Sequence, residues 1–251
     1  MIPRRQFSPS LRGRAFPLLA SLLLLAACGG SPAGPAVSPT PTPTEQEIAR
    51  RAVDRLGAVQ SFHFDLATDT GGKPVGGGSG LALVSATGDA ARPDELSASL
   101  QASVGGFVAA VKYISAGGKH YMTDPLSQQW IEVPPQFNTI AVFSPDSGAS
   151  SIVNSLEGLK RQGVESIDGL DSYHLAGTAP GSVLQPLLGA SAPSPLKADV
   201  WIGAADSLTR RIILTGPIFQ GDPDATVRTL NLSKFDQPVT ISAPTPGTRP
   251  T

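Results

Sequence analysis

Hydrophobic and polar residues alternate one by one through much of the stretch from residue 61 to about residue 130. Phe62, Phe64 and Leu66 interleave with His63, Asp65 and Ala67, and Leu96, Ala98, Leu100 and Ala102 interleave with Ser97, Ser99 and Gln101. A period of two places each set on one face of a strand. This region therefore predicts an antiparallel sheet with one apolar face and one wet face. Turn signals at Gly71-Gly72, 76–80, Arg92-Pro93-Asp94, Gly105-Gly106 and Gly117-Gly118 divide it into five short strands joined as hairpins.

Elsewhere the period becomes helical. Ile48, Ala49, Ala52, Val53, Leu56 and Val59 form one stripe behind Thr44-Glu45-Gln46-Glu47, which has the spacing of a capping box, with Gly57 a candidate early stop. Ile152, Val153, Leu156 and Leu159 predict a second short helix behind Ser144-Pro145-Asp146, and 180–188 predicts a third. Strand patterns return at 163–167, 172–177, 198–202, 208–214 and 226–232. About ten strands, grouped rather than alternating with three helices, make an α+β domain.

The first 27 residues do not belong to that domain. Arg4, Arg5, Arg12 and Arg14, with no acidic residue among them, precede an apolar run and then small residues, the three parts of a secretory signal. The run 15–27 is thirteen residues long and holds Pro17, whereas a membrane-spanning helix needs about 20 apolar residues. Its end, Leu25-Ala26-Ala27-Cys28, resembles the lipobox of bacterial lipoproteins. That resemblance implies cleavage before Cys28 and alkylation of its thiol by diacylglycerol. An ordinary signal with an incidental cysteine is the alternative, but Cys28 is the only cysteine of the chain, and a lone free thiol is uncommon in exported proteins. Arg4-Arg5-Gln6-Phe7 also resembles the twin-arginine export motif; basic leaders produce such pairs by chance, so both export routes stay open.

From Gly29 to Thr44 the chain is Gly, Ser, Pro, Ala and Thr with a single Val37. Alternating prolines favour an extended spacer, with a reach of about 50 Å at about 3.1 Å per residue. The plan is a signal over 1–27, a lipidated cysteine and tether over 28–44, a folded domain over 45–244 and a disordered tail over 245–251.

Removing the signal takes four of the 19 Lys and Arg and none of the 20 Asp and Glu, which leaves 15 against 20, a net charge of −5. With no basic cluster to neutralise phosphates, nucleic acid is not a partner. Membrane attachment then rests on the acyl chains at Cys28, each buried methylene adding about 0.8 kcal/mol. With that cysteine lipidated there is no disulfide and no thiolate metal site.

Catalytic patterns are lacking too. His63, His120 and His174 fall in separate strands with no i, i+2 or i, i+4 pair, a poor start for a zinc site. Gly77-Gly78-Ser79-Gly80 lacks the spacing of a nucleophile elbow, and no Gly-Lys-Ser/Thr follows it as in a P-loop. It reads as a hairpin tip. The chain reads as non-enzymatic and without a cofactor. Trp130, Trp201, Phe62, Phe64 and Tyr113 suit either a ligand pocket or an ordinary sheet core. The clearest parity makes Phe62, Phe64, Leu66, Leu83, Leu96 and Leu100 the candidate cavity wall.

Several stretches carry a family likeness: 119–125 (KHYMTDP) followed by Trp130, 167–177 (IDGLDSYHLAG), Val200-Trp201-Ile202 with 208–212 (LTRRI), and 231–236 (NLSKFD) before 238–241 (PVTI). Together they resemble the LppX/LprG group of actinobacterial lipoproteins, relatives in fold of the carrier LolA, over about 45–244. The resemblance implies a curved antiparallel half-barrel wrapped around short helices, with an apolar cavity that holds acyl chains. The glycine run 76–80 departs from the pattern and leaves the length of that hairpin open. The expected function is a membrane-anchored lipoprotein that binds acyl chains of a lipid or glycolipid for transport or retention in the cell envelope. The alternative is an envelope sensor of the same fold that binds a membrane-protein partner.

Overall fold

A computed structural model of the protein describes residues 42–71, 81–104, 107–134, 148–185, 191–219 and 221–250. Cys28, the signal, the tether as far as residue 41 and the glycine run 76–80 lie outside the described residues.

Helix α1 (Glu45–Ala58) begins as its sequence dictates. The backbone N–H of Thr44 donates to Glu47 Oε2 at 2.8 Å and the Glu47 N–H donates to Thr44 Oγ1 at 3.3 Å, so two donors left free at a helix start are satisfied reciprocally. The Thr44 N–H and then the Thr44 hydroxyl, which donates to the same Oε2 at 3.2 Å, hold the Glu47 carboxyl below its ordinary pKa. Ile48, Ala49, Ala52 and Leu56 are buried, and the helix runs through Gly57 to a cap at Val59.

Eleven strands follow: β1 (Ser61–Asp69), β2 (Leu81–Ala91), β3 (Glu95–Val104), β4 (Phe107–Ala116), β5 (Lys119–Thr123), β6 (Trp130–Val133), β7 (Glu157–Ile167), β8 (Leu170–Ala179), β9 (Leu196–Gly203), β10 (Thr209–Thr215) and β11 (Val227–Ser233). They form one open sheet in the order β6-β5-β4-β3-β2-β1-β11-β10-β9-β8-β7. Every pairing is antiparallel, and the two halves of the chain meet where β1 pairs with β11. The strand beyond the ten expected is β6, which starts at Trp130.

The alternation of residues sets the inner face. Leu175, Val200, Ile212, Leu230, Leu66, Ala86, Leu100 and Val111 are successive partners across eight strands. In the next row Phe64 pairs with Gly88 and Gly88 with Ala98. A Cβ on Gly88 would run into the Ser97 carbonyl oxygen and sit 2.8 Å from Ala98 Cα, so only glycine lets β2 and β3 approach this closely.

The half-barrel wraps around a short helical layer of α1, α2 (Gly148–Asn154) and a 3₁₀ turn, Gly181–Leu184. Helix α2 packs chiefly on α1, and α1 also touches β7 and β9. Two helix expectations need correction. The second helix does not continue through Leu156 and Leu159: the Ser155 hydroxyl donates to the Ile152 carbonyl at 2.8 Å, Gly158 takes φ +62°, and Leu159 falls in β7. In place of a helix over 180–188 stands the single 3₁₀ turn, with 186–190 outside the described residues.

The sequence predicts a disordered tail from residue 245. In the structure the Trp130 N–H donates to the Thr248 carbonyl at 2.8 Å, and the Gly247 N–H donates to the Trp130 carbonyl at 2.8 Å. Among the described residues no helix is long and apolar enough to cross a membrane.

Candidate functional site

An apolar cavity lies between the sheet and the helical layer. Leu66 of β1, Leu83 of β2, Leu230 of β11, and Ile212 and Leu214 of β10 line the sheet side. Ile152 of α2 and Leu184 of the 3₁₀ turn line the helical side, and Ile218, Phe219 and Arg228 complete the wall. It offers about 40 Å³ of water-accessible space, well below the ~300–1,000 Å³ of preformed ligand pockets. The cavity is closed down onto its own walls.

Of the six candidate wall residues, Leu66 and Leu83 line this space. Leu100 belongs to the same inner-face row as Leu66, one strand beyond Ala86. Phe62, Phe64 and Leu96 share the face but are packed in the core, Phe64 with no exposed surface. Trp201 and Trp130 face the opposite way. Tyr113 is on the inner face, where it shares a 2.6 Å hydrogen bond with His120 Nδ1, and burial pushes its phenol up to about 12.

Arg228 was not among the candidates. It is paired with Thr68 of β1 and Leu214 of β10, and its guanidinium is held by Asp222, Nη2 donating to Oδ2 at 2.7 Å. The Asp222 carboxylate also accepts the backbone N–H groups of Ile218 and Phe219, both at 3.0 Å. The Arg228 guanidinium lies 5.2 Å from the Phe219 ring centroid, a cation–π distance. Burial draws its pKa down while Asp222 works against that shift; arginine keeps its charge regardless. The signal for Arg228 was present in the sequence: Arg228, Leu230 and Leu232 share one parity, so a strand over 226–232 puts all three inside.

The outer face holds a polar network instead. His174, Trp201, Arg211 and Asn231 are successive partners across β8 to β11. His174 has Nδ1 at 2.8 Å from Glu165 Oε1 and Nε2 at 2.8 Å from Asp199 Oδ1, and its ring stacks on Trp201 at 4.2 Å. Trp201 Nε1 donates to Glu165 Oε2 at 2.8 Å, and Arg211 Nε donates to Asn231 Oδ1 at 2.7 Å. The bond from Trp201, then that from His174, lowers the Glu165 pKa. Both His174 nitrogens are thus engaged. His63 is likewise tied to Asp89 at 2.7 Å. Among the described residues no group of three or more His, Cys, Asp or Glu is arranged to hold a metal ion.

Two wider hollows lie on this outer face. One, of about 400 Å³, is bordered by Ser99, Lys112, Trp130 and the segment around Thr248; the other, of about 420 Å³, spans Asp65, Thr87, Gln101 and Lys112. Both are open to solvent, the first with a mainly polar wall and the second with polar side chains set among more apolar surface, so an apolar ligand in either would stay partly wet. The inner cavity is the site with chemistry suited to a hydrocarbon chain.

Comparison with known proteins agrees with this architecture. The profile of the LppX_LprAFG lipoprotein family matches residues 44–241. A curated relative, the lipoarabinomannan carrier protein LprG of Mycobacterium leprae (strain TN), is 24% identical over 245 residues, covering 94% of this chain and 98% of its own. The crystal structure of LprF from Mycobacterium bovis superposes with a TM-score of 0.62 at 20% identity, over 81% of this chain and 98% of that one. LppX of Mycobacterium tuberculosis gives 0.55 at 20% identity, over 79% of this chain and all of its own. With its half-barrel sheet, its short helical layer and a family match from residue 44 to residue 241, the chain belongs to the LppX_LprAFG lipoprotein family.

Proposed function

We propose that this protein is an extracytoplasmic lipoprotein, anchored to the cell membrane through Cys28, that shelters the acyl chains of a lipid or glycolipid between its sheet and its helical layer. The observation that carries the reading is the cavity, walled almost wholly by Leu, Ile and Phe and placed between the sheet and its short helical layer. The name of the Mycobacterium leprae relative, a lipoarabinomannan carrier, favours a glycan-bearing lipid as cargo. A non-enzymatic role suits a site whose one charged side chain, Arg228, is already paired.

The cavity has to widen to accept a chain. Its cover on the helical side is Ile152, from a helix of seven residues, and Leu184, from a single 3₁₀ turn. Short elements with few backbone bonds of their own open at low cost. Each methylene taken from water returns about 0.8 kcal/mol, so ten of them offset an opening that costs about 8 kcal/mol. The tether over 28–44 would let the domain reach lipid while it stays attached.

The test is native mass spectrometry of the mature protein extracted from its own membrane. The expected spectrum shows the protein mass plus that of a lipid, in addition to the anchor. A protein that emerges empty, and also fails to load added diacyl lipid, overturns the reading. A stoichiometric membrane-protein partner with no lipid would replace it with the sensor role.

A further inference from the structure

The cavity is apolar except at one point. Arg228 is on the inner face of β11 with its side chain 5% exposed, and it is one of the residues that line the cavity. Only Nη2 is used, by Asp222. Nε and Nη1 are buried and have no hydrogen-bond partner among the described residues. The nearest polar neighbour in the register is Thr68, whose hydroxyl donates to the Leu83 carbonyl at 3.2 Å.

Buried guanidinium donors without acceptors are costly, and native proteins seldom leave them so without a function. Arg228 is not needed to neutralise an excess charge, because Asp222 would be better replaced by an apolar side chain if only packing were at stake. Arg228 is the one hydrogen-bonding side chain among the residues that line the cavity, so an oxygen carried on an acyl chain that widens this wall would complete its unused donors.

Charge decides which oxygen. Asp222 already neutralises Arg228, and its carboxylate also accepts the Ile218 and Phe219 N–H groups. A second carboxylate would leave a net negative charge in an apolar cavity, which is strongly unfavourable. An ester carbonyl accepts hydrogen bonds and brings no charge. We propose that Arg228 is the polar anchor of the cavity, donating from Nε and Nη1 to ester carbonyl oxygens, so that the site selects esterified acyl chains over ether-linked chains and free fatty acids. This rests on the lipid-binding reading above.

The probes are dipalmitoylglycerol, its dihexadecyl ether analogue and palmitate, each titrated from detergent micelles into delipidated mature protein, with loading read by native mass spectrometry. The wild-type protein is expected to bind the diester about tenfold more tightly than the diether, the scale of hydrogen bonds to a charged donor, and more tightly than palmitate. Arg228→Met alone would leave Asp222 unpaired and can unfold the domain. The paired variant Arg228→Met with Asp222→Asn removes both charges, and is expected to load diester and diether equally. Equal binding of the two by the wild type, a preference for palmitate, or a preference for diester that survives in the paired variant would each overturn the inference while leaving lipid binding intact. Failure of all three probes to load would overturn the lipid-binding reading itself, and the inference with it.

Discussion

Arg228 and Asp222 meet at 2.7 Å with side chains 5% and 0% exposed, the most deeply buried ion pair among the described residues. Removing one partner leaves an uncompensated charge inside the domain. Asp222→Ala is expected to cost about 3–5 kcal/mol, read as a lower urea midpoint with an unchanged slope. Arg228→Met with Asp222→Asn should recover most of that loss, because the Asn side-chain oxygen still accepts from Ile218 and Phe219 while no charge remains. A paired variant as unstable as Asp222→Ala would show that the charges themselves hold this end of the domain together.

The same carboxylate gives a pH dependence. Burial works to raise the Asp222 pKa, but the N–H groups of Phe219 and Ile218 and the nearby Arg228 more than offset it, so the folded value lies below the ordinary one. A depressed carboxyl contributes stability that is fully present above its unfolded value, about pH 4. That contribution is lost as pH falls through the lower folded value. The denaturation midpoint of the wild-type protein should hold from pH 7 to about 5 and drop below about 4, and the paired variant should drop less. Parallel acid curves for the two proteins would remove Asp222 from the explanation.

At Gly88 the backbone of β3 leaves no room for a side chain. Gly88→Ala forces a methyl group against the Ser97 carbonyl and Ala98 Cα, which are backbone and cannot swing aside. A loss of about 1–3 kcal/mol is expected, measured as a fall in Tm. Gly57→Ala is the control: a methyl group there meets nothing within 4 Å, and alanine favours a helix over glycine by about 1 kcal/mol, so it should hold or raise Tm.

Attachment should depend on one atom, the Cys28 sulfur. Cys28→Ser is expected to move the protein from the detergent phase to the aqueous phase in a phase-partition assay and to abolish incorporation of labelled fatty acid. The mature domain is acidic and carries no polybasic segment, so no second signal would retain it. Persistence in the detergent phase would point to an anchor elsewhere.

Local regularity decided what could be read from the sequence. Phe62, Phe64 and Leu66 alternate cleanly and stand on the inner face of β1; Thr44 and Glu47 carry their own capping chemistry, and α1 begins where they say. Leu156 and Leu159 fit a helical stripe as well as Ile152 and Val153 do. What separates them is the Ser155 hydroxyl turning back on Ile152 and the left-handed Gly158, neither of which periodicity registers. The cavity was legible as a face but not as a volume. Phe62, Phe64 and Leu96 have the same parity as Leu66 and Leu83, and only the position of Ile152 and Leu184 across the gap determines which of them meet open space. Arg228 is masked in the sequence because a charged residue in a strand is usually turned outward; its partner Asp222 lies six positions away, in the turn ahead of β11.

The tail bonds at Trp130 bear on how the protein behaves in a crowded envelope. A half-barrel leaves a strand at each end of its sheet with one side unpaired, and a bare strand edge is a template for another chain. β6 is one such end. The N–H and carbonyl of Trp130 that point away from β5 are taken by Thr248 and Gly247. Residues 247 and 248 thus screen the free edge of β6 at Trp130, and a cut that removed them would bare that edge to pairing with another chain while leaving the inner cavity untouched.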